Sequence, residues 1–141
     1  MIKICVALLI ISSVVLAETG EHRVENMATT YTDVKVGTGR KITGSDTVTV
    51  HAIGKLANGN KFWSSKDNGG NPFTFTLGAG QLIKGWEHGV IGMQAGGIRM
   101  IYIPYAEAYG DAGAGGVIPP KADINFEIEM LSLKGEENSD L

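Results

Sequence analysis

Three stretches of this chain alternate apolar and polar residues with a period of two, and this alternation limits the fold more than any other feature. It runs through residues 47–53 (TVTVHAI), 73–77 (FTFTL) and 124–130 (INFEIEM). Successive side chains of a strand point to opposite faces of the sheet, so each stretch predicts a strand with one buried face and one solvated face. Such strands are typical of antiparallel sheets, because strands of parallel sheets are apolar on both faces.

Residues 82–97 (LIKGWEHGVIGMQAGG) break this period and predict a helix. Its apolar face is formed by residues spaced three, four and three apart, namely Ile83, Trp86, Val90 and Met93. Gly85 and Gly89 weaken the helix, and we expect Gly96 and Gly97 to end it. A helix this short is not stable alone, so it must pack on the apolar face of the sheet. The sequence therefore predicts an α+β domain, a curved five- to six-stranded antiparallel sheet (half-barrel) wrapped around one short helix.

The first seventeen residues are typical of a secretory signal. They combine Lys3, an apolar run at 4–16 and a small-residue cleavage site ending at Ala17. The run is too short to span a membrane, and the alternatives are an uncleaved anchor or a buried strand. Because Cys5 would leave with the signal, we expect a soluble exported protein without disulfides, located in a periplasm or outside the cell.

The remaining chain divides into three parts. Residues 18–30 are polar and without periodicity, and they predict a flexible lead. Residues 31–134 carry all the periodic segments and are expected to form the folded domain. Residues 135–141 (GEENSDL) predict a disordered acidic tail.

Charge and reactive side chains exclude several classes of function. The chain has a formal net charge of −3 and no basic run, so nucleic acid and anionic lipid surfaces are not expected partners. His22, His51 and His88 lack the spacing of metal ligands, and the single cysteine lies in the signal. We therefore expect no metal, no cofactor and no covalent or acid–base catalysis.

Aromatic and aliphatic residues are instead abundant near the loops. They form a core, or they line a pocket for rotation about an Xaa-Pro bond, and composition alone favours the core. Rotation breaks no covalent bond but must cross a barrier of about 18–20 kcal/mol that amide resonance sets. An apolar pocket that dehydrates the bond and holds it twisted would lower this barrier without proton transfer.

Five motifs in order along the chain resemble the FKBP family of peptidyl-prolyl cis-trans isomerases. They are NGNKFWSS (58–65), PFTFTLGAGQLIKGWEHGVIGM (72–93), AYG (108–110), VIPP (117–120) and INFEIEMLSL (124–133). The resemblance covers residues 31–134 with no large insertion. It implies a half-barrel of antiparallel strands around a short helix, rotamase activity, no cofactor, and proline-containing polypeptides and macrolides as ligands.

The resemblance also implies roles for individual residues. Trp86 matches the aromatic floor under the substrate proline, and Tyr109 matches the tyrosine whose hydroxyl bonds the bound peptide. Ile83 would offer its backbone N–H to a substrate carbonyl. The other matching residues form the walls, the rim before the helix and the flap edge, and they are Phe62, Phe73, Phe126, Leu82, Val117 and Ile118.

Three positions depart from the family pattern. Ala52 replaces a tyrosine, Trp63 replaces an aspartate, and Ala114 replaces a larger flap residue. In the family that tyrosine and aspartate bond to each other, so we expect the first two exchanges to be coupled and to leave a more apolar pocket wall containing Trp63 and Ala52. The expected result is altered isomerase activity with weakened macrolide affinity.

Two functions follow as expectations. The first is a monomeric prolyl isomerase that assists the folding of exported proteins. The second is a weakly catalytic or non-catalytic chaperone or adaptor that holds proline peptides in the same pocket. A stripe of Ile98, Met100 and Tyr102, predicted to face outward from one strand, is a further candidate contact surface for this second function. A dimeric surface protein is disfavoured because the lead is too short for the helix such proteins carry.

Overall fold

The structure, a computed structural model, describes residues 20–67 and 69–134. The predicted signal (1–17) and acidic tail (135–141) lie outside these described residues. Seven strands, one α-helix and one 3-10 helix are formed in the order β1 (Glu21–Arg23), β2 (Thr30–Lys35), β3 (Thr47–Leu56), β4 (Lys61–Ser64), β5 (Phe73–Thr76), α1 (Lys84–Gly89), β6 (Ile98–Ile103), the 3-10 helix (Tyr105–Glu107) and β7 (Ile124–Leu133).

All seven strands belong to one antiparallel sheet. Its order is β1-β2-β6-β7-β3-β4, and β5 pairs with β3 beside this path. The predicted fold class, an antiparallel sheet with one short helix, is confirmed. One strand more than expected is present because β1 has only three residues, which is too few to show a period.

The core lies on the sheet face that the alternation identified. Along β3, Val48, Val50 and Ala52 are at most 1% exposed, and on β7 the alternate residues from Ile124 to Met130 are buried. Each fully buried aliphatic side chain contributes about 1.5–3 kcal/mol relative to an exposed one. The alternation therefore fixes which face of the sheet turns inward.

Helix α1 is shorter than predicted, and it ends at Gly89 instead of Gly96. Its glycines have a packing role that the sequence did not reveal. A Cβ on Gly85 would lie 2.5 Å from Ile103 Cγ2, and one on Gly89 would lie 2.9 Å from Ile101 Cδ1. Two glycines one turn apart thus let the helix backbone approach β6 closely, which offsets their poor helix propensity.

A buried arginine explains why the helix ends where it does. Arg99 is 3% exposed, and its Nη1 donates to the Gly89 carbonyl at 2.8 Å and to the Ile91 carbonyl at 2.9 Å. Its Nε donates to Asp33 Oδ1 at 2.7 Å, and its Cζ lies 3.9 Å from the Tyr31 ring centroid. These contacts satisfy carbonyls at the helix terminus, which would otherwise lack partners.

The lead predicted to be flexible contains regular structure in its described part. Strand β1 pairs with β2, and Val24 and Thr29 are buried. The prediction was wrong for these residues because a carboxylate far along the chain, Glu107, binds the backbone of Ala28 and Thr29. Such a long-range contact leaves no local pattern in the sequence.

The outward stripe on β6 is present. Met100 and Tyr102 are each 38% exposed, Ile98 is half-buried, and the alternating Ile101 and Ile103 are buried. The Tyr102 hydroxyl donates to Asp123 Oδ2 at 2.7 Å. In the described part of the chain, no helix is long and apolar enough to cross a membrane.

Candidate active site

A cavity of about 590 Å³ opens between α1, the strands around it and the loop that precedes β7. This volume suits a small ligand or a short stretch of peptide. The cavity brings together every predicted site residue except Ala52. Its lining consists of Phe62, Trp63, Phe73, Gln81, Leu82, Ile83, Trp86, Tyr109, Ala114, Gly115, Val117, Ile118 and Phe126.

An aromatic cluster forms the floor of this cavity. Trp86, on the first turn of α1, is 3% exposed and meets the Phe126 ring at 90° with centroids 5.1 Å apart. Phe73 meets Trp86 edge-on at 6.0 Å, and Phe62 meets Phe126 edge-on at 5.7 Å. Edge-to-face pairs of this kind each add about 0.5–1.5 kcal/mol beyond the area they bury. The floor is therefore a rigid apolar surface.

Phe62 and Trp63 are neighbours in the chain, yet both line the cavity. Strand β4 makes this possible through a bulge, since Gly54 pairs with Trp63 whereas Lys55 pairs with Lys61, and Phe62 has no partner of its own. A bulge locally reorients one strand, so consecutive side chains no longer point to strictly opposite faces.

Gly54 is a residue of the site that the sequence interpretation missed. A Cβ there would lie 2.6 Å from Phe62 Cζ and 2.7 Å from Phe126 Cε1. The missing side chain thus provides the space in which the two rings meet. The available signal was an isolated glycine inside an otherwise β-branched and apolar strand, which often marks a close approach or a bulge.

Trp63 forms part of the wall beside the floor. Its ring is half-buried and meets Phe73 edge-on at 6.2 Å. Gln81 also lines the cavity, and its Oε1 accepts a hydrogen bond of 3.3 Å from the Thr76 N–H. An indole at this position makes the wall apolar where a carboxylate would have made it charged.

Ala52 does not belong to the cavity lining, which corrects its predicted assignment as a substrate-binding residue. It is 1% exposed within the core and pairs with Ile128 of β7. Ser65 Oγ accepts from its N–H at 3.0 Å, and its carbonyl accepts from the Ser65 N–H. A methyl group is too short to reach the cavity surface from this depth. Only a larger side chain at position 52 could take part in binding.

The rim before α1 is formed by Leu82 and Ile83. Ile83 is the N-cap of the helix, with φ −61° and ψ 152°, and its carbonyl accepts from the Trp86 and Glu87 N–H groups. Within residues 20–67 and 69–134 the Ile83 N–H itself donates no hydrogen bond. A donor is therefore available at the cavity mouth beside the aromatic floor.

The opposite side of the mouth is a glycine-rich flap at residues 110–118. Ala114 and Ile118 exchange two backbone hydrogen bonds of 2.9 and 3.0 Å, which closes the flap into a narrow hairpin. Val117 is 56% exposed at its tip, whereas Ile118 is buried. Because Ala114 and Gly115 have little or no side chain, the mouth stays wide at this point.

Tyr109 is the one titratable side chain in the lining. Burial raises the pKa of its hydroxyl above the ordinary value, so the group is a neutral hydrogen-bond donor at physiological pH. In the described part of the chain, no cluster of histidine, cysteine or acidic residues could hold a metal ion. The cavity can therefore remove water from a bound ligand, and it presents aromatic surface and a few neutral hydrogen-bond donors.

A sheet packed on one short helix, with an uncharged aromatic cavity between them, defines a class of protein with a preformed apolar binding cavity. The comparisons with known proteins specify the class further. The model of the FKBP-type peptidyl-prolyl cis-trans isomerase family matches residues 38–131. The chain therefore belongs to the FKBP-type peptidyl-prolyl cis-trans isomerases.

Individual relatives agree with this family. An FK506-binding protein of Neisseria meningitidis serogroup A is 48% identical over 101 residues, which are 72% of this chain and 92% of that protein. FK506-binding protein 1 of Dictyostelium discoideum is 45% identical over 108 residues, 77% of this chain and 100% of its own length. The crystal structure of AtFKBP13 is similar with a TM-score of 0.67 at 38% identity, covering 74% of this chain and 91% of that one.

Proposed function

We propose that this protein accelerates rotation about Xaa-Pro bonds in the cavity over Trp86 and thereby assists the folding of exported proteins. The observation that carries the proposal is the uncharged aromatic floor, in which Phe73 and Phe126 hold the Trp86 ring edge-on. A proline ring is compact and apolar, so it can cover such a floor without burying a polar group of its own.

The catalytic effect comes from where the imide bond is placed. Amide resonance puts negative charge on the carbonyl oxygen, and water stabilises that charge-separated form. In the twisted state this resonance is lost, so transfer from water to the apolar cavity disfavours the planar ground state more than the twisted state. The walls formed by Phe62, Trp63 and Val117 exclude water around the bond.

Two neutral donors orient the bound peptide. Tyr109 and Ile83 both line the cavity, and the Tyr109 hydroxyl and the Ile83 N–H are groups that donate to carbonyls. A hydrogen bond of this kind contributes about 0.5–1.5 kcal/mol. Their task is to hold the chain on both sides of the proline while the bond turns.

An isomerisation assay with a matched pair of tyrosine variants tests this proposal. Tyr109→Phe removes one hydroxyl from the cavity, and Tyr31→Phe removes one from a ring that packs against Arg99 outside the lining. We expect wild type to accelerate cis–trans exchange of a proline tetrapeptide, Tyr109→Phe to lose about threefold to tenfold in kcat/KM, and Tyr31→Phe to retain full activity. An inactive wild-type protein would refute the proposal.

The second candidate is a binding module that holds proline peptides without useful turnover. The feature that favours it is Trp63, which replaces the acidic residue of the family and makes the wall more apolar. Saturable binding of the tetrapeptide without faster exchange would select this candidate. FK506-type macrolides are the proposed inhibitory ligands of either form, and their affinity is weakened by the same exchange.

We further propose that residues 1–17 direct export and that the mature protein begins at Glu18 and is monomeric. The charge, apolar run and small residues of this segment support the proposal. The intact mass of the protein recovered from an exporting host tests it. A mass that retains residues 1–17 would contradict cleavage.

A further inference from the structure

Backbone hydrogen bonds hold the loop that carries Tyr109, and one of them runs from the Lys121 N–H to the Gly110 carbonyl at 3.0 Å. It follows the 3-10 helix directly, and its internal hydrogen bonds run from the Ala108 and Gly110 N–H groups to the Tyr105 carbonyl. Tyr109 itself is 37% exposed. The position of its hydroxyl in the cavity therefore depends on the Lys121 hydrogen bond and on what holds the 3-10 helix (Tyr105–Glu107).

One anchor of the 3-10 helix is Asp123. Its Oδ1 accepts from the Tyr105 N–H at 2.8 Å, and its Oδ2 accepts from the Tyr102 hydroxyl at 2.7 Å. This carboxylate fixes the first residue of the 3-10 helix to the start of β7. The last residue of the 3-10 helix, next to Ala108 and Tyr109, needs a separate anchor.

Glu107 supplies that second anchor by binding the lead. Its Oε2 accepts from the Ala28 N–H at 2.8 Å, and its Oε1 accepts from the Thr29 N–H at 2.8 Å and from the Thr29 hydroxyl at 2.6 Å. Burial alone would raise the pKa of Glu107, but these three bonds together hold the pKa below its ordinary value. Both oxygens are thus committed to one ionised, charge-assisted contact, here termed the Glu107 clasp.

The far side of the clasp is itself firmly placed. Thr29 is 0% exposed, and the next residue, Thr30, begins β2, which pairs with β6. The clasp therefore connects the main sheet to the end of the 3-10 helix, two residues before Tyr109. Glu107 does not line the cavity.

We propose that Glu107 is a positioning residue, which sets the location of the Tyr109 hydroxyl in the cavity by clasping Ala28 and Thr29. This proposal rests on the proposed function, because it assigns Glu107 no effect except through Tyr109. It also makes the lead a functional part of the isomerase domain.

A double-mutant cycle in activity tests the proposal. Glu107→Gln keeps the size of the side chain but turns an amide NH₂ toward one of the clasped donors. We expect Glu107→Gln to lower kcat/KM about threefold to tenfold, by no more than Tyr109→Phe does. In the Tyr109→Phe background the same substitution should have no further effect, because the hydroxyl it positions is gone.

Two further variants keep the test informative if Glu107→Gln folds poorly. Thr29→Val removes one bond of the clasp from the other side and should give a smaller loss of activity, whereas Thr29→Ser should retain full activity. Asp46→Asn is the control for loss of a carboxylate elsewhere, since Asp46 binds Arg40 at 2.8 Å away from the cavity lining. It should reduce stability without changing kcat/KM under conditions where the protein is folded.

The outcomes separate the two proposals. An active wild type with an unaffected Glu107→Gln variant, or with losses that simply add to those of Tyr109→Phe, would overturn the role of Glu107 and leave the isomerase function intact. A wild type without turnover would refute the proposed function and the role of Glu107 with it. Only a non-additive loss supports the positioning role.

Discussion

Replacing Gly54 with alanine is the substitution that the cavity geometry makes most informative. The added Cβ would lie 2.6 Å from Phe62 Cζ and 2.7 Å from Phe126 Cε1, nearly 1 Å inside ordinary contact. Neither ring can move freely, because the two pack edge-on at 5.7 Å and Phe126 also packs on Trp86. Overpacking of this kind costs about 1–3 kcal/mol of unfolding free energy.

The same displacement should reach the substrate. Phe62 forms part of the cavity wall, so a ring pushed into the cavity narrows the space for a proline. We expect Gly54→Ala to raise KM for a proline tetrapeptide as well as to lower stability. Adding Phe62→Leu should recover part of the lost stability, since the shorter side chain relieves the contact at position 62 but leaves the one with Phe126, and it should not restore KM.

Urea unfolding and isomerase kinetics measure both effects on the same samples. Gly44→Ala is the matched control, because a Cβ there would meet only Ile91 Cδ1 at an ordinary 3.9 Å. If Gly54→Ala unfolds at the same urea concentration as Gly44→Ala, the close approach of the two rings does not exist. If Phe62→Leu fails to recover stability, the strain does not lie at Phe62.

Three more predictions follow from other contacts. The double variant Trp63→Asp with Ala52→Tyr restores the family's polar pair. We expect it to change turnover and to strengthen macrolide binding in a calorimetric titration. Unchanged turnover and affinity would refute the idea that the two exchanges are coupled. Asp33→Ala removes the carboxylate partner of the buried Arg99 cation, which keeps its bonds to the Gly89 and Ile91 carbonyls, so it should cost about 3 kcal/mol in urea unfolding. A loss below about 1 kcal/mol would contradict a buried ion pair. Burial raises the pKa of Tyr109, so its hydroxyl stays protonated at neutral and mildly alkaline pH. We therefore expect kcat/KM to be constant from about pH 6 to about pH 9. A change in kcat/KM within this range would mean that another titratable group takes part.

Much of the fold could be predicted because burial leaves a local pattern. Strands β3, β5 and β7 each bury one face, so a period of two in the sequence reveals them. Trp86 could be placed on a helix facing the sheet for the same reason. The end of α1 could not be predicted, because Arg99 of β6 supplies the donors for the carbonyls of Gly89 and Ile91 at the end of the helix.

The cavity shows the same division between local and long-range information. The resemblance placed the aromatic residues around one cavity, yet it also assigned a binding role to Ala52, whose methyl group stays in the core. The bulge that brings Phe62 and Trp63 to the same cavity depends on a register shift opposite Gly54, which no single strand encodes. The Glu107 clasp joins Ala28 to Glu107, which are 79 positions apart, so the sequence of the lead contains no local pattern that predicts it.

The central claim is that this cavity accelerates rotation in addition to binding proline. NMR exchange spectroscopy on a proline tetrapeptide, with the protein at concentrations below those that saturate binding, measures both properties in one sample. We predict a cis–trans exchange rate that rises in proportion to protein concentration and falls when a macrolide occupies the cavity. Peptide resonances that shift on binding while the exchange rate stays at its uncatalysed value would contradict the claim.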